Sequence, residues 1–330
     1  MVSPERIFHM MNAHVATQAL RGGLELGLFT AIAEGHQTVP ALAAQTGASE
    51  RGTRILADYL CVAGLLTKAD DQYSLAPDAA LFLDANSPAY MGLASKFLHH
   101  PVLMHASSDI AAVVRTGKSI LGGAGTIEDE SPVWEDFARG MVPMMTPPAQ
   151  FLAELAGPGP IRVLDIAAGH GIFGIHIAAK NPEAHLTALD WPAVLHVAAE
   201  NAQRHGVAER WTPLAGSALS VDYGTGYDLV LLTNFLHHFD EAGCIDILRR
   251  VHAALKPGGR VITLEFVPNP DRVTPPISAA FAMTMLLNTP AGDAYTFSQF
   301  ESMFRAAGFA STEQVPTGPM PEQVLVSVRS

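Results

Sequence analysis

The 330-residue chain is 48% hydrophobic and 16% charged, which is typical of packed globular proteins and excludes a disordered one. Its formal net charge of −12 argues against DNA or RNA as the main ligand, since nucleic-acid-binding faces are basic. With two cysteines and no apolar run of membrane-spanning length, the sequence predicts a cytoplasmic protein with no disulfide framework and no membrane partner.

The first hundred residues predict a helical domain that ends in a small hairpin. Apolar residues recur at helical spacing over 16–35, where Gly35 is the expected stop, and again over 49–66, where Ser49 is a good N-cap. One side of this later helix carries Ile55, Leu56, Leu60 and Leu65. Residues 67–76 follow as strand, turn and strand, so the order of elements is that of a winged helix.

A winged helix either reads DNA or serves as a dimerisation module. Residues 1–86 contain five Lys or Arg against nine Asp or Glu, and phosphate repulsion would oppose docking on DNA. We therefore predict that residues 1–100 form a dimerisation domain and not a DNA-binding domain. The alternative is a transcription regulator whose second domain only senses a ligand.

The middle of the chain predicts a linker followed by a boundary. Residues 101–157 are mostly helical in pattern, interrupted by the glycines of 121–126 and the prolines of 141–150. The segment Gly-Pro-Gly-Pro at 157–160 is the clearest boundary signal, so we expect residues 158–330 to form a separate domain.

Strands and helices alternate along this last domain. The strand-like segments are 161–166, 185–190, 211–216, 228–233, 259–266, 308–316 and 322–330. Helical segments lie between the earlier strands, at 172–180, 193–204 and 241–255. The alternation predicts an α/β fold with a Rossmann-like doubly wound sheet, and the last two strands predict an antiparallel hairpin at one edge.

A glycine turn follows the first of these strands. Gly169, Gly171 and Gly174 in "VLDIAAGHGIFG" have the G-x-G-x-x-G spacing of a dinucleotide site. Asp165 precedes the turn, where its carboxylate would repel the pyrophosphate of NAD. S-adenosylmethionine instead carries an ammonium and a sulfonium, so Asp165 favours this cofactor, and a methyltransferase over a nicotinamide oxidoreductase. Asp165 can also cap the following turn, and the two roles are compatible.

Two further strand ends carry polar side chains. Asp190 closes the second strand, where a carboxylate can accept hydrogen bonds from both ribose hydroxyls of either cofactor. Ser217 follows the third strand, where an adenine would lie, although an ordinary polar turn explains this serine equally well.

These motifs resemble those of class I S-adenosylmethionine-dependent methyltransferases. The segments "LDIAAGHG", "ALDWP" and "LKPGGRVIT" match the first motif, the second motif and the start of strand five. Together with the winged-helix domain, nearly the whole chain is similar to the caffeic-acid-type small-molecule O-methyltransferases. The expected cofactor residues are Asp165, Ala167, Gly169, Gly171, Asp190, Trp191, Gly216, Ser217, Ala218 and Asn234.

The resemblance implies the rest of the function. It implies a homodimer formed by the N-terminal domains, a reaction without a metal, and S-adenosylhomocysteine as product. It also implies a small, hydroxylated and aromatic methyl acceptor. The sequence alone leaves nitrogen and carbon open as alternative acceptor atoms.

The resemblance also assigns catalytic residues. The family's base is a histidine, and in "HHFDE" that position falls on His237, while His238 takes the neighbouring Asp position and is the second choice. Glu265 matches the first supporting glutamate, which fixes the tautomer of the imidazole. The second glutamate is replaced by Ala294; either Asp293 substitutes for it or the pair of acids is incomplete.

Two regions of the sequence predict the acceptor pocket. The predicted pocket residues are Phe137, Met141, Met144, Met145, His238, Phe281, Met285 and Asn288. Methionine-rich surfaces adapt to flat apolar ligands, although methionines at helical spacing are also common in a core. No acidic or thiolate residue has zinc-ligand spacing to His99, His100 and His105 in the sequence, so no metal is expected.

Overall fold

The structure is a computed structural model that describes residues 2–128, 131 and 133–330. The chain divides into two compact units, Met1–Lys96 and Phe97–Ser330. The helices that the sequence predicts as a linker therefore belong to the second unit. None of the described helices is both long and apolar enough to cross a membrane.

The first unit is mostly helical and contains a small antiparallel sheet. Its elements are α1 (Glu5–Glu25), α2 (Leu28–Ala33), α3 (Val39–Thr46), α4 (Glu50–Val62), β1 (Leu66–Ala69), β2 (Gln72–Leu75) and α5 (Pro77–Phe82), and α6 (Ala94–Leu98) spans the boundary. This is the predicted order of helices followed by a hairpin.

The prediction of one helix over 16–35 is wrong. The chain turns at Gly27, whose φ of 65° lies in the left-handed region that ends helices. The turn lets Leu28 and Phe29 of α2 point into the core, where each is 1% exposed.

The predicted N-cap of α4 is confirmed, and its predicted buried side is partly wrong. The Ser49 hydroxyl accepts a hydrogen bond from the Gly52 N–H at 3.1 Å. Ile55 is 44% exposed, and Leu65 lies beyond the end of α4 at Val62. The helical repeat instead buries Thr53, Ala57 and Leu60.

The second unit contains the large sheet. Its elements are α7 (Pro101–Ala106), α8 (Ile110–Thr116), α9 (Val133–Gly140), α10 (Val142–Ala156), β3 (Arg162–Ile166), α11 (Ile172–Lys180), β4 (His185–Asp190), α12 (Pro192–Arg204), β5 (Trp211–Ala215), β6 (Tyr227–Thr233), α13 (Glu241–Ala254), β7 (Leu255–Glu265), α14 (Pro276–Asn288), α15 (Phe297–Ala306), β8 (Phe309–Val315) and β9 (Gln323–Arg329). Short 3-10 turns lie at Gly125–Ile127, Ala208–Arg210 and Leu236–His238.

The strand order in the described chain is β5-β4-β3-β6-β7-β9-β8. β5, β4, β3, β6 and β7 are parallel, whereas β9 pairs antiparallel with β7 and β8. The doubly wound sheet and its terminal hairpin are thus confirmed. The order reverses between β3 and β6, and such a switch point opens a crevice at the carboxyl ends of the strands.

Both faces of this sheet are buried, which explains the continuous apolar runs of its strands. Leu229 and Leu231 of β6 pack in one core with α10 and α11. Val230 and Leu232 alternate with them and pack in the other core with α13 and α15.

The prolines of 141–150 do not interrupt the helix there, contrary to prediction. α10 continues through Pro147 and Pro148, which lack the N–H groups that would continue its hydrogen-bond ladder. The hydroxyl of Thr146 donates to the Val142 carbonyl at 2.8 Å, and burial of Pro148, Ala149 and Leu152 holds the helix against the sheet.

Candidate active site

A cavity of about 420 Å³ lies in the second unit at the carboxyl ends of β3, β4 and β6. Most of the predicted site residues line it. The predicted cofactor residues in its wall are Ala167, Gly169, Asp190, Trp191, Gly216, Ser217, Ala218 and Asn234, and the predicted acceptor residues are Phe137, Met141, Met145, His238, Phe281, Met285 and Asn288. His237 also lines it. The predicted Met144 is instead 42% exposed and is not part of the wall.

His237 and Glu265 form a buried pair beside this cavity. The Glu265 Oε2 atom lies 2.6 Å from Nδ1 of His237, and the two side chains are 1% and 6% exposed. The other oxygen, Oε1, accepts from the N–H groups of Phe235 at 3.0 Å and Leu236 at 2.8 Å. Because Nδ1 faces a carboxylate, that nitrogen carries the proton, and Nε2 is left as the basic nitrogen of the ring.

His238 has the same tautomer for a different reason. Its Nδ1 donates to the Phe235 carbonyl at 3.0 Å, and the ring lies edge-on to Trp134 at a centroid distance of 5.4 Å. Burial, reinforced by the neighbouring His237, holds the pKa of His238 well below its usual range. His238 is therefore a neutral wall residue.

Asp293 does not bring a second acid to His237. Its carboxylate accepts from Arg272 at 3.0 Å and from the Ala294 N–H at 2.8 Å. The main chain makes the contact instead: the Asp293 N–H donates to the His237 carbonyl at 3.0 Å. Of the two alternatives in the sequence, the geometry favours an incomplete pair of acids.

Asp165 is not at the mouth of the crevice, and this corrects the electrostatic argument from the sequence. The side chain is 0% exposed, is absent from the cavity wall, and accepts from the Gly174 N–H at 3.2 Å. Burial holds its pKa well above the usual range, and Asp190 adds to the effect. Asp165 thus caps α11 beneath the glycine turn, which was the alternative interpretation.

Gly171 is also a framework residue. With φ at 72° it precedes α11, and a Cβ there would lie 3.0 Å from the Cβ of Ala198. Glycine therefore allows close approach to α12. Gly169 is the glycine of this turn that lines the cavity, and its N–H donates to Oδ2 of Asp190 at 2.8 Å.

Asp190 joins the glycine turn to the next loop. Its second oxygen, Oδ1, accepts from the Trp191 N–H at 2.7 Å. Burial raises the pKa of Asp190 to about 6, although its two main-chain hydrogen bonds act in the opposite direction. The carboxyl group lines the cavity, so a hydroxyl-bearing ligand can reach it.

The switch point itself carries two strained residues. Ala167 follows β3 and Asn234 follows β6, and each has a φ of 53° although neither is glycine. Both line the cavity. The Oδ1 atom of Asn234 is buried without a hydrogen-bond partner among the described residues. An unsatisfied amide oxygen here matches a ligand that presents an N–H donor.

Aromatic rings surround the other end of the cavity. Phe281 packs edge-on against His237 at 4.8 Å and stacks on Phe266 at 4.0 Å between centroids. Trp134 and Phe137 form a second edge-to-face pair at 5.7 Å. The site can therefore hold a flat apolar molecule against the imidazole.

Sequence reasoning missed several residues of this wall. Trp134, His170, Phe266 and Glu322 line the cavity and were not predicted. His170 lies inside the glycine turn, where the motif itself could have indicated it. The others have no local signal, because helix packing and strand pairing bring them to the cavity. Among the described residues, no group of three or more His, Cys, Asp or Glu could hold a metal ion.

Each of the two units contains a segment that matches a family of known proteins. Residues 150–310 match the model of an O-methyltransferase domain, and residues 8–85 match an O-methyltransferase dimerisation domain. The chain is 46% identical to a candidate O-methyltransferase of Nostoc punctiforme, whose crystal structure superposes with a TM-score of 0.96 over 100% of both chains.

Characterised relatives are more distant. The chain is 28% identical to 3-hydroxy-5-methyl-1-naphthoate 3-O-methyltransferase of Streptomyces sahachiroi, over 91% of this chain and 87% of that protein. It is 24% identical to the S-adenosyl-L-methionine-dependent methyltransferase PigF of a Serratia species, over 92% and 90% of the two chains.

Proposed function

Because the chain belongs to the family of S-adenosylmethionine-dependent small-molecule O-methyltransferases, we propose that it methylates a hydroxyl group of a small aromatic acceptor with His237 as general base. The buried His237–Glu265 pair is the observation that carries the proposal. It leaves the basic Nε2 of His237 in a cavity lined by aromatic rings. The naphthoate acceptor named for the Streptomyces relative is of the same chemical class.

The residues at the switch point fit the cofactor. S-adenosylmethionine supplies a methyl group on a sulfonium. Asp190 would accept from the ribose hydroxyls, and the unpartnered Oδ1 of Asn234 would accept from the amino group of the methionine part. Gly169 exposes its main chain to the ligand, while Gly216, Ser217 and Ala218 would surround the adenine.

The protein's own role in the proposed reaction is to remove one proton from the acceptor hydroxyl. Nε2 of His237 accepts the proton of the acceptor hydroxyl as the oxygen attacks, and the Glu265 carboxylate stabilises the resulting imidazolium. A histidine is less basic than a phenolate by about 3.5 pKa units, so proton transfer accompanies attack and does not precede it. The reaction needs no metal, because positioning and proton removal are sufficient for transfer from a sulfonium.

We infer that the protein is a homodimer. Ile7, Phe8, Met11 and Val15 of α1 are 57%, 65%, 70% and 43% exposed, and their spacing places them on one side of the helix. This stripe lies in or beside the segment that matches a dimerisation domain. An exposed apolar stripe of this kind is stabilised when a second copy covers it.

Replacement of the base tests the proposed mechanism. We expect His237→Ala to lower kcat by about 10²- to 10⁴-fold with a hydroxylated naphthalene as acceptor and EDTA present. The Kd for S-adenosylhomocysteine should stay unchanged, because His237 does not hold the cofactor. His196→Ala, whose side chain is 71% exposed, is the matched control. Retention of wild-type kcat in the His237 variant would contradict the assignment.

A further inference from the structure

Glu322 is a buried acid in the cavity that the proposed mechanism does not use. The residue is 2% exposed and lines the cavity just before β9. Its main chain is fixed, since the Glu322 carbonyl accepts from Thr317 Oγ1 at 3.2 Å and the Pro321 carbonyl accepts from Ser278 Oγ at 2.7 Å. The main chain that carries this side chain is therefore fixed by Thr317 and by Ser278 of α14.

Strand register locates Glu322 relative to the base. Glu265, the last residue of β7, is paired with Gln323, the first residue of β9, so Phe266 and Glu322 are the next residues beyond this pair on the two chain segments. Glu322 and Phe266 both line the cavity, as do Phe281, which stacks on Phe266, and His237, which contacts the Phe281 ring. A flat ligand in this cavity can therefore meet both the His237 ring and the Glu322 carboxyl group.

The surroundings give this carboxyl group little compensation for its burial. Burial raises its pKa and Glu265 adds to the effect, while its own main-chain N–H provides a hydrogen bond. None of the described residues in the cavity wall is Lys or Arg. A buried acceptor with spare lone pairs is stabilised when a ligand brings a donor to it.

We propose that Glu322 selects the acceptor: its carboxyl group accepts a hydrogen bond from a second hydroxyl or amino group of the aromatic molecule whose first hydroxyl faces His237. The preferred acceptors therefore carry two polar groups on an apolar ring system. This inference rests on the proposed function, because it takes the acceptor to be aromatic and hydroxylated.

Binding to the enzyme saturated with S-adenosylhomocysteine tests the inference without turnover. The probes are 2-naphthol and the dihydroxynaphthalenes that carry the second hydroxyl on the other ring, titrated by their own fluorescence. We expect at least one dihydroxynaphthalene to bind the wild type about 10- to 100-fold more tightly than 2-naphthol. Glu322→Leu should abolish this preference, and Glu322→Gln, which keeps an acceptor oxygen, should retain part of it.

Glu313→Gln, an exposed change in the neighbouring strand β8, is the matched control and should keep the preference. The inference is overturned if the wild type has no preference for a second hydroxyl, or if Glu322→Leu keeps it. It is also overturned if Glu322→Leu weakens the binding of 2-naphthol to the same degree as the binding of the dihydroxynaphthalenes. Methyl transfer to the same probes is measured separately: a Glu322-dependent preference without methylation would contradict the proposed function while leaving Glu322 as the residue that recognises the second hydroxyl.

Discussion

The carboxyl group of Asp190 connects burial, main-chain geometry and ligand binding in one residue. It holds the N–H groups of Gly169 and Trp191 while it faces the cavity. The sequence predicts a ribose-binding role for Asp190 because the end of a parallel strand is a recurrent ribose site, and this role stays a prediction. The raised pKa could not be predicted, because it depends on how completely the surrounding loops exclude water.

That pKa leads to a pH dependence of cofactor binding. Ribose hydroxyls donate to the carboxylate form, so a proton must leave Asp190 on binding below a pH of about 6. We expect the Kd for S-adenosylhomocysteine to rise as the pH falls from 7 to 5. Asp190→Asn should weaken binding about 10- to 100-fold at pH 7.5 and flatten this dependence.

Calorimetric titration across this pH range measures the effect. Asp246→Asn, at a side chain that is 74% exposed on α13, should preserve the wild-type profile. A wild-type profile retained in Asp190→Asn would assign the titrating group elsewhere.

The loop after β6, which carries His237, shows which site contacts can be predicted from a sequence and which cannot. The resemblance to the O-methyltransferase family assigns His237 and Glu265, and the two side chains lie in contact in the structure. The same reasoning offered Asp293 as a second acid, but spacing cannot tell whether a side chain or a main-chain group reaches its neighbour. Here the main chain makes the contact. At Gly292 it passes so close to the His237 carbonyl oxygen that a Cβ would lie 2.2 Å from it, and the next N–H, that of Asp293, donates to this oxygen.

At the scale of elements, the contact between α11 and β4 fixes the glycine turn. Gly174 lies in the first turn of α11, and a Cβ there would be 2.6 Å from Cδ1 of Leu186 and 3.0 Å from Oδ2 of Asp165. The third glycine of the motif therefore permits helix and strand to pack closely while Asp165 caps the helix.

We expect Gly174→Ala to lower the free energy of unfolding of the second unit by about 1–3 kcal/mol, because the methyl group forces the helix away from the sheet. Urea denaturation followed by a probe in this unit measures the change. Leu186→Val removes the nearest atoms, so the double variant should be more stable than the sum of the two single effects predicts. Strict additivity would mean that this clash does not govern the packing.

Element boundaries in the second unit were predictable to within a few residues, because buried parallel strands and amphipathic helices have distinct patterns. α11 (Ile172–Lys180) and β4 (His185–Asp190) begin and end where the sequence predicts. α10 and the break between α1 and α2 were not predictable in this way. In α10, burial against the sheet outweighs the low helix propensity of two prolines. At Gly27, one residue with left-handed φ ends a helix although the apolar pattern of the sequence continues beyond it.

For the whole molecule, the predicted assembly depends on the exposed stripe of α1. We expect Phe8→Asp combined with Met11→Asp to convert the dimer to monomers, because charged side chains would be buried in the interface. Sedimentation velocity measures the outcome. Ala13→Asp, on the opposite side of the same helix, should leave the dimer intact. Monomeric wild-type protein at micromolar concentration would refute the assembly.

Glu265 has a consequence for how such a protein acquires new acceptors. One carboxylate fixes both the ring of His237 and the main chain of its loop, and it does so from the end of a central strand. The cavity walls proposed to meet the acceptor come instead from helices α9, α10 and α14 and from the β8–β9 hairpin. Substitutions in those walls can therefore change which acceptor is bound, while Glu265 keeps the His237 imidazole in the same orientation.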